Sequence, residues 1–350
     1  MDGQLRDGEI RVGEDARQRF YDSRGYGRPV GGNEIALSWV EAGHLLFRGD
    51  LDTVDGMDFR EFTTEAETEF GTKFLVYADL RDRGFYLSPD REGWVDEPRD
   101  DTDFVVYPRG KGPTDAAEPE YRVRVLGERG AVGVSQLGDV VLAVVDEEGD
   151  LTYFETGHYD PTGETEYTPE TTVDATLLDD RLVVWGSAGD LHRLGFYGQP
   201  LTGRAADYDA IHLSLVEGAY LAATGALTLG HASDDAFEAI VERGRAVEGE
   251  RFDRRLRVYR DLRDAGSVPK TGFKFGADFR VYADVESVED LGHSEALVRA
   301  LPGGYTFDPR DLALDVRLAG GVRKKMVFAF EPTTDQTDTL DWVYASRLTP

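Results

Sequence analysis

A nine-residue segment, Val76-Tyr77-Ala78-Asp79-Leu80-Arg81-Asp82-Arg83-Gly84, returns as Val258-Tyr259-Arg260-Asp261-Leu262-Arg263-Asp264-Ala265-Gly266. Three further pairs follow in the same order. Tyr26-Gly27-Arg28-Pro29 matches Tyr197-Gly198-Gln199-Pro200, Leu37-Ser38-Trp39-Val40-Glu41-Ala42 matches Leu213-Ser214-Leu215-Val216-Glu217-Gly218, and Asp103-Phe104-Val105-Val106-Tyr107 matches Asp278-Phe279-Arg280-Val281-Tyr282. The offsets, 171, 176, 182 and 175 residues by the numbering, drift only slightly. Collinear matches of this kind mark a tandem duplication, so any fold must be built twice. The junction is expected within 156–172, rich in Gly, Pro, Thr and Glu and without apolar periodicity, giving repeats over 1–160 and 172–350.

Each half carries the same order of patterns. In the second, short strands are expected at Ala175–Leu178 and Arg181–Trp185, then helices over Ala210–Ala223 and near Arg254–Ala265. Strands follow at Ala277–Ala283, Ala296–Leu301, Met326–Phe330 and Leu340–Ser346, with an amphipathic helix Pro309–Ala319 among them. The expected class is α/β (α+β): each repeat has a small leading α/β subdomain and a mixed-sheet second subdomain.

Composition narrows the chemistry. With 40% hydrophobic residues, the 350-residue chain can bury real cores. It has no cysteine, which removes disulfides, zinc–thiolate sites and thiol nucleophiles. No apolar run reaches the roughly eighteen residues of a membrane span, and Met1-Asp2-Gly3-Gln4-Leu5-Arg6 lacks the apolar stretch of a signal peptide. A cytoplasmic location is expected. The net charge is −29, and of 39 basic residues only Lys73, Lys111, Lys270, Lys274, Lys324 and Lys325 are lysine. Such a balance resembles proteins of salt-accumulating halophilic archaea. In molar salt the Debye length is about 3 Å, so the acidity reports habitat more than partners. Four of the six lysines fall between 270 and 325, which points to a local basic patch on an acidic body.

Three motifs in the second half coincide with that patch. They are Lys270-Thr271-Gly272-Phe273-Lys274-Phe275-Gly276-Ala277-Asp278-Phe279-Arg280-Val281-Tyr282, then Gly292-His293-Ser294, then Val322-Arg323-Lys324-Lys325. Together and in this order they resemble the catalytic core of archaeal tRNA-splicing endonucleases (tRNA-intron lyases) of the two-repeat, homodimeric type. The resemblance implies a nuclease-like second subdomain with Tyr282, His293 and Lys324 as catalytic residues and no cofactor or metal. It further implies precursor tRNA as substrate, cut at both splice sites of a bulge-helix-bulge, with 2′,3′-cyclic phosphate and 5′-hydroxyl ends. Arg317 matches an arginine that stacks on a bulge base, and Trp342 is a candidate second face of that clamp, with core packing as the alternative.

The chemistry can also be argued from residue types. RNA carries its own nucleophile, the 2′-hydroxyl. Cleavage needs a base for that proton, an acid for the 5′-oxygen and a cation for the charge on the phosphorane. Histidine titrates near 6.5 and suits the acid, lysine supplies the charge, and tyrosine serves as base only beside a cation. Taken singly, Tyr282 reads as a packed aromatic, His293 as a surface residue and Arg323-Lys324-Lys325 as a solvated strand edge. The functional reading comes from the set. A metal-dependent nuclease is the first alternative, although His44, His158, His192, His212 and His231 are scattered. A non-catalytic RNA-binding subunit is the second.

The first half keeps Tyr107 at the tyrosine position, but the same register puts Glu118 at the histidine and Ser135-Gln136-Leu137-Gly138-Asp139 at the lysine. It reads as a catalytically inert copy. It also carries Asp146-Glu147-Glu148-Gly149-Asp150, which resembles an acidic loop that in the family docks into a partner subunit. The second half has the less acidic Glu331-Pro332-Thr333-Thr334-Asp335-Gln336 there.

Overall fold

The computed structural model describes residues 1–115, 117–186, 188–201, 210–230, 235–331 and 339–350. It divides into two units, Met1–Gly157 with Thr306–Ala313 and Ser346–Pro350, and His158–Tyr305 with Leu314–Ala345. The comparison segment 331–336 lies outside the described residues except for Glu331.

The two units repeat one plan. In the first, a leading five-stranded sheet runs Arg28–Gly31, Glu34–Leu37, Glu9–Val12, Asp2–Arg6, Thr53–Val54 in spatial order. In the second, the order is Gln199–Pro200, Ala210–Ser214, Arg181–Trp185, Val173–Leu177, Leu227–Thr228. Helix Trp39–Phe47 follows the first sheet's Glu34–Leu37, and Leu215–Ala223 follows Ala210–Ser214.

The repeated Tyr-Gly and Leu-Ser-x-x-Glu segments account for this shared geometry. Glu41 Oε2 accepts from the Ser38 N–H at 2.9 Å while Ser38 Oγ accepts from the Glu41 N–H at 3.3 Å, a reciprocal cap on the helix. Glu41 Oε1 also accepts from the Gly27 N–H at 2.7 Å. Glu217, Ser214 and Gly198 repeat all three bonds at 2.9, 3.2 and 2.9 Å. Gly27 and Gly198 have φ of +70° and +59°, and a Cβ on either would sit 2.4 Å from the main-chain oxygen of Ala36 or His212. Only glycine fits there. The adjoining Tyr26 and Tyr197 are each covered by an arginine, Arg81 at 3.9 Å and Arg263 at 3.8 Å.

The second subdomains repeat as well. Tyr86–Pro89, Phe104–Tyr107, Tyr121–Gly127, Val141–Val145 and Leu151–His158 lie side by side in the first unit. Val268–Thr271, Phe279–Tyr282, Ala296–Leu301, Lys325–Phe330 and Asp341–Leu348 do so in the second. In both, the third and fourth strands are parallel and the remaining neighbours antiparallel. Helix Phe70–Asp82 covers the first of these sheets and Glu250–Asp264 the second. The class is mixed α/β, as expected.

Two sequence expectations are corrected, and one element is added. Ala210–Ser214 is a strand, because Ile211 and Leu213 alternate inward against Arg181–Trp185, and the helix starts only after the Ser214 cap. The strand expected from Ala277 starts at Phe279, because Phe273–Phe275 forms a 3-10 turn closed by Gly276 at φ +73°. A further helix, Ala236–Glu248, packs between the helices Leu215–Ala223 and Glu250–Asp264.

Candidate active site

Strand pairing brings the three motifs of the second half to one end of one sheet. Val281 lies opposite Ala296, and Ala296 lies beside Lys325. Main-chain bonds from Glu295 N–H to Val281 O (2.9 Å) and from Lys325 N–H to Glu295 O (3.1 Å) continue the ladder past the strand ends. The chain around Tyr282, the loop holding His293 and the loop holding Lys324 are therefore adjacent.

Helix Pro309–Gly321 delivers the lysine. Its end is closed by Lys324 N–H to Ala319 O at 3.0 Å, with Arg323 at φ +57° making the reversal. The half-buried Lys324 ammonium donates to the carbonyl oxygen of Ser294, the residue after His293. Burial pushes its pKa below the ordinary lysine value, the charge of Arg280 pushes the same way, and Glu295 opposes them.

Tyr282 closes its strand and is only 5% exposed. The Phe196 ring meets it edge-on at 5.6 Å, and the Arg280 guanidinium lies 5.6 Å from its centroid. A cavity of about 450 Å³ borders Tyr282 and Arg280, with His192, Phe196, Gln199 and Leu291 among its walls. His293, two residues beyond Leu291, is exposed and makes no hydrogen bond among the described residues. No hydrogen bond among those residues joins the side chains of Tyr282, His293 and Lys324 directly.

The basic patch is smaller than lysine counting suggested. Lys270 is buried, donating to Glu217 at 2.6 Å and to the Gly198 carbonyl at 3.2 Å. It braces the leading subdomain against the Val268–Thr271 strand, and its charge is taken up by Glu217. Burial alone would raise the Glu217 carboxyl, but the Lys270 ammonium and the N–H donors outweigh it and hold its pKa at about 2. In the first repeat the matching strand, Tyr86–Pro89, has Ser88 in place of Lys270. There Glu41, buried without an ammonium, is pushed up instead. The motifs alone give Arg280 no role. The available signal was its position two residues before Tyr282, which puts both on one face of a strand.

The remaining candidates separate. Arg317 is exposed on its helix and makes no ion pair among the described residues. Trp342 is 7% exposed, packs in the second unit's core near Tyr159, and its indole N–H donates to Asp261 at 3.0 Å. This placement is core packing. In the first unit Tyr107 is buried, which raises its pKa, Glu118 is exposed, and the parallel pairing aligns Gly138 with Lys324. The acidic loop is a hairpin tip stapled by Asp146, whose Oδ1 accepts from the N–H groups of Glu148 (3.0 Å) and Asp150 (2.9 Å). Glu147 pairs with Arg129 at 2.7 Å, while Glu148 and Asp150 are exposed.

Comparison with known proteins matches this layout. Residues 252–342 match the family model "tRNA intron endonuclease, catalytic C-terminal domain". The model "tRNA intron endonuclease, N-terminal domain" matches twice, over 1–63 and 173–238, once in each unit. The chain belongs to the tRNA intron endonuclease family. It is 59% identical to the tRNA-splicing endonuclease of Halobacterium salinarum over 350 residues, all of both chains. It is 56% identical to that of Haloferax volcanii, again over both full chains, and 39% identical to that of Methanosarcina barkeri, covering 95% of this chain and 96% of the relative. Relatives from halophiles agree with the acidic, lysine-poor composition of this family member.

Proposed function

We propose that this chain is an RNA endonuclease that removes introns from precursor tRNA, cutting both splice sites of a bulge-helix-bulge. The observation that carries the assignment of the site is the bond from Lys324 to the Ser294 carbonyl, which ties the lysine loop to the histidine loop beside the strand ending in Tyr282. Tyr282 takes the proton of the attacking 2′-hydroxyl, His293 protonates the departing 5′-oxygen, and Lys324 stabilises the charge on the phosphorane. The products are a 2′,3′-cyclic phosphate and a 5′-hydroxyl. Arg317 stacks on a bulge base, and Trp342 is left to the core. The first repeat, with Glu118 and Gly138 at the acid and cation positions, is an inert copy that holds a homodimer together, its acidic loop docking into the partner. Two sites on a two-fold axis match an RNA with two cuts. The reaction takes place in the cytoplasm.

The decisive experiment is a single-turnover cleavage assay on intron-containing precursor tRNA in molar KCl with EDTA. Two cuts are expected from the wild type. His293→Ala and Lys324→Ala should each be slower by roughly a hundredfold or more, the loss expected for a missing acid or charge stabiliser. Tyr282→Phe should also be slow, with every variant still folded. Near-normal cleavage by His293→Ala would overturn the assignment, and abolition by EDTA would favour a metal-dependent nuclease.

A further inference from the structure

Arg280 points from the same strand face as Tyr282 and is the cross-strand neighbour of Lys270 on one side and Leu297 on the other. Burial depresses both Lys270 and Lys324, and the charge of Arg280 pushes each the same way. Lys270 is neutralised by Glu217 at 2.6 Å. Arg280 has no such partner: among the described residues no carboxylate lies within ion-pair distance of it. Nearby, Arg251 and Arg255 share Asp278, and Arg299 holds Asp315. The Nε of Arg280 is buried and has no hydrogen-bond acceptor among the described residues. The residue lines both the cavity of about 450 Å³ beside Tyr282 and a second cavity of about 270 Å³ beside Lys270. Glu289 also borders the larger cavity without pairing to Arg280.

A buried donor without an acceptor costs stability, and a cation facing other cations costs more. Both costs disappear if an anion enters the cavity. A guanidinium suits an anion with two oxygens on one centre, since its N–H groups form a planar fork that matches phosphate geometry.

We propose that Arg280 is a substrate-anchoring residue that takes a non-bridging oxygen of the RNA phosphodiester beside Tyr282. The proposal rests on the reading that places cleavage at Tyr282, His293 and Lys324. Arg280 then holds the phosphate from the strand side while Lys324 meets it from the loop side, so the two cations share one dianionic transition state.

The test uses the full-length protein in molar KCl with EDTA and bulge-helix-bulge RNA. The RNA carries either an ordinary scissile linkage or one of the two phosphorothioate diastereomers at that linkage. Wild type should cleave one diastereomer more slowly than the other. Arg280→Gln should lower the single-turnover rate on ordinary RNA by about a hundredfold and lose the discrimination between diastereomers. Arg280→Lys should recover part of the rate. Cleavage by Arg280→Gln within about threefold of wild type would overturn the proposal. So would a slow Arg280→Gln that keeps full discrimination, since that marks a merely structural residue. If Arg280→Gln fails to fold, the charge-retaining Arg280→Lys carries the test: altered discrimination supports the anchor and unaltered discrimination overturns it. Normal cleavage by His293→Ala and Lys324→Ala beside a slow, non-discriminating Arg280→Gln would remove the proposed triad and keep the anchor.

Discussion

Lys324 spends one of its three ammonium donors on the carbonyl of Ser294, so the cation is fixed to the loop that carries His293. Among the described residues its remaining donors have no partner, which leaves them for an incoming oxygen. A lysine held by a main-chain oxygen keeps its position without being neutralised, as a carboxylate partner would do.

The pH dependence of cleavage follows from that setting. Lys324 titrates below the ordinary lysine value of 10.5, because burial and Arg280 both disfavour its charge. The charged form is the useful one, so the rate should fall as pH rises through this lowered pKa. Single-turnover rates between pH 7 and 10.5, corrected for alkaline hydrolysis of the RNA, should show that decline. Lys324→Arg, charged throughout the range, should be slower at neutral pH but flat on the alkaline side. An alkaline decline unchanged in Lys324→Arg would assign it to another group.

Lys270→Met should destabilise the second repeat by about 3–5 kcal/mol, because it strands a buried carboxylate. Lys270→Met combined with Glu217→Gln should recover part of that loss in urea melts. Acid acts unequally on the repeats. Glu217 has a folded pKa of about 2 against an ordinary 4.5, so its stabilisation is complete above 4.5 and fades as pH falls towards 2. Glu41 is raised, so its ionisation costs stability above its folded pKa, and that cost is relieved as pH falls. Amide protection, corrected for the intrinsic exchange rate at each pH, should therefore fall more from pH 6 to pH 3 in the helix Leu215–Ala223 than in Trp39–Phe47. Equal loss of protection in the two helices would deny the pair its role.

Tyr107→Phe should leave cleavage unchanged, since Glu118 and Gly138 supply neither acid nor cation nearby. A loss as large as that of Tyr282→Phe in the same assay would reveal a second reactive centre.

Arg317→Ala should weaken binding of bulged RNA by about 1–3 kcal/mol, the worth of a base-stacking contact. Trp342→Ala should instead cost about 3–5 kcal/mol of stability, as a large aromatic lost from a core. Trp342→Phe, if folded, should bind RNA as wild type does. Filter binding and thermal melts separate the two effects.

For the docking loop, Asp146 must be kept, because its carboxylate shapes the turn. Glu148→Ser with Asp150→Ser should weaken the dimer and its cleavage while the monomer still folds, as read by light scattering and the tRNA assay. Exposed ion pairs are worth little in molar salt, so a loss here means the two charges are buried on docking. A fully active dimer would make the loop ordinary surface.

The duplication and most strands were legible because their signals are local: alternating apolar residues, repeated turn residues and matched spacing. Ala210–Ser214 was misread because its five residues adjoin a good helix pattern, and only pairing with Arg181–Trp185 decides the matter. The site was legible as motifs but not as geometry. Lys270 and Lys324 look alike in a string, yet one is consumed by Glu217 and the other is held by a carbonyl. Trp342 could not be assigned either, because its hydrogen bond to Asp261 spans 81 positions.

Glu41 and Glu217 grip the same main-chain donors, but only Glu217 meets an ammonium. The scaffold of each half is therefore anchored by one glutamate to peptide N–H groups. The neighbouring strand position is serine in one half and lysine in the other, so the charge set beside that anchor differs between them. Sibling halves built this way can part company in chemistry while keeping a common shape.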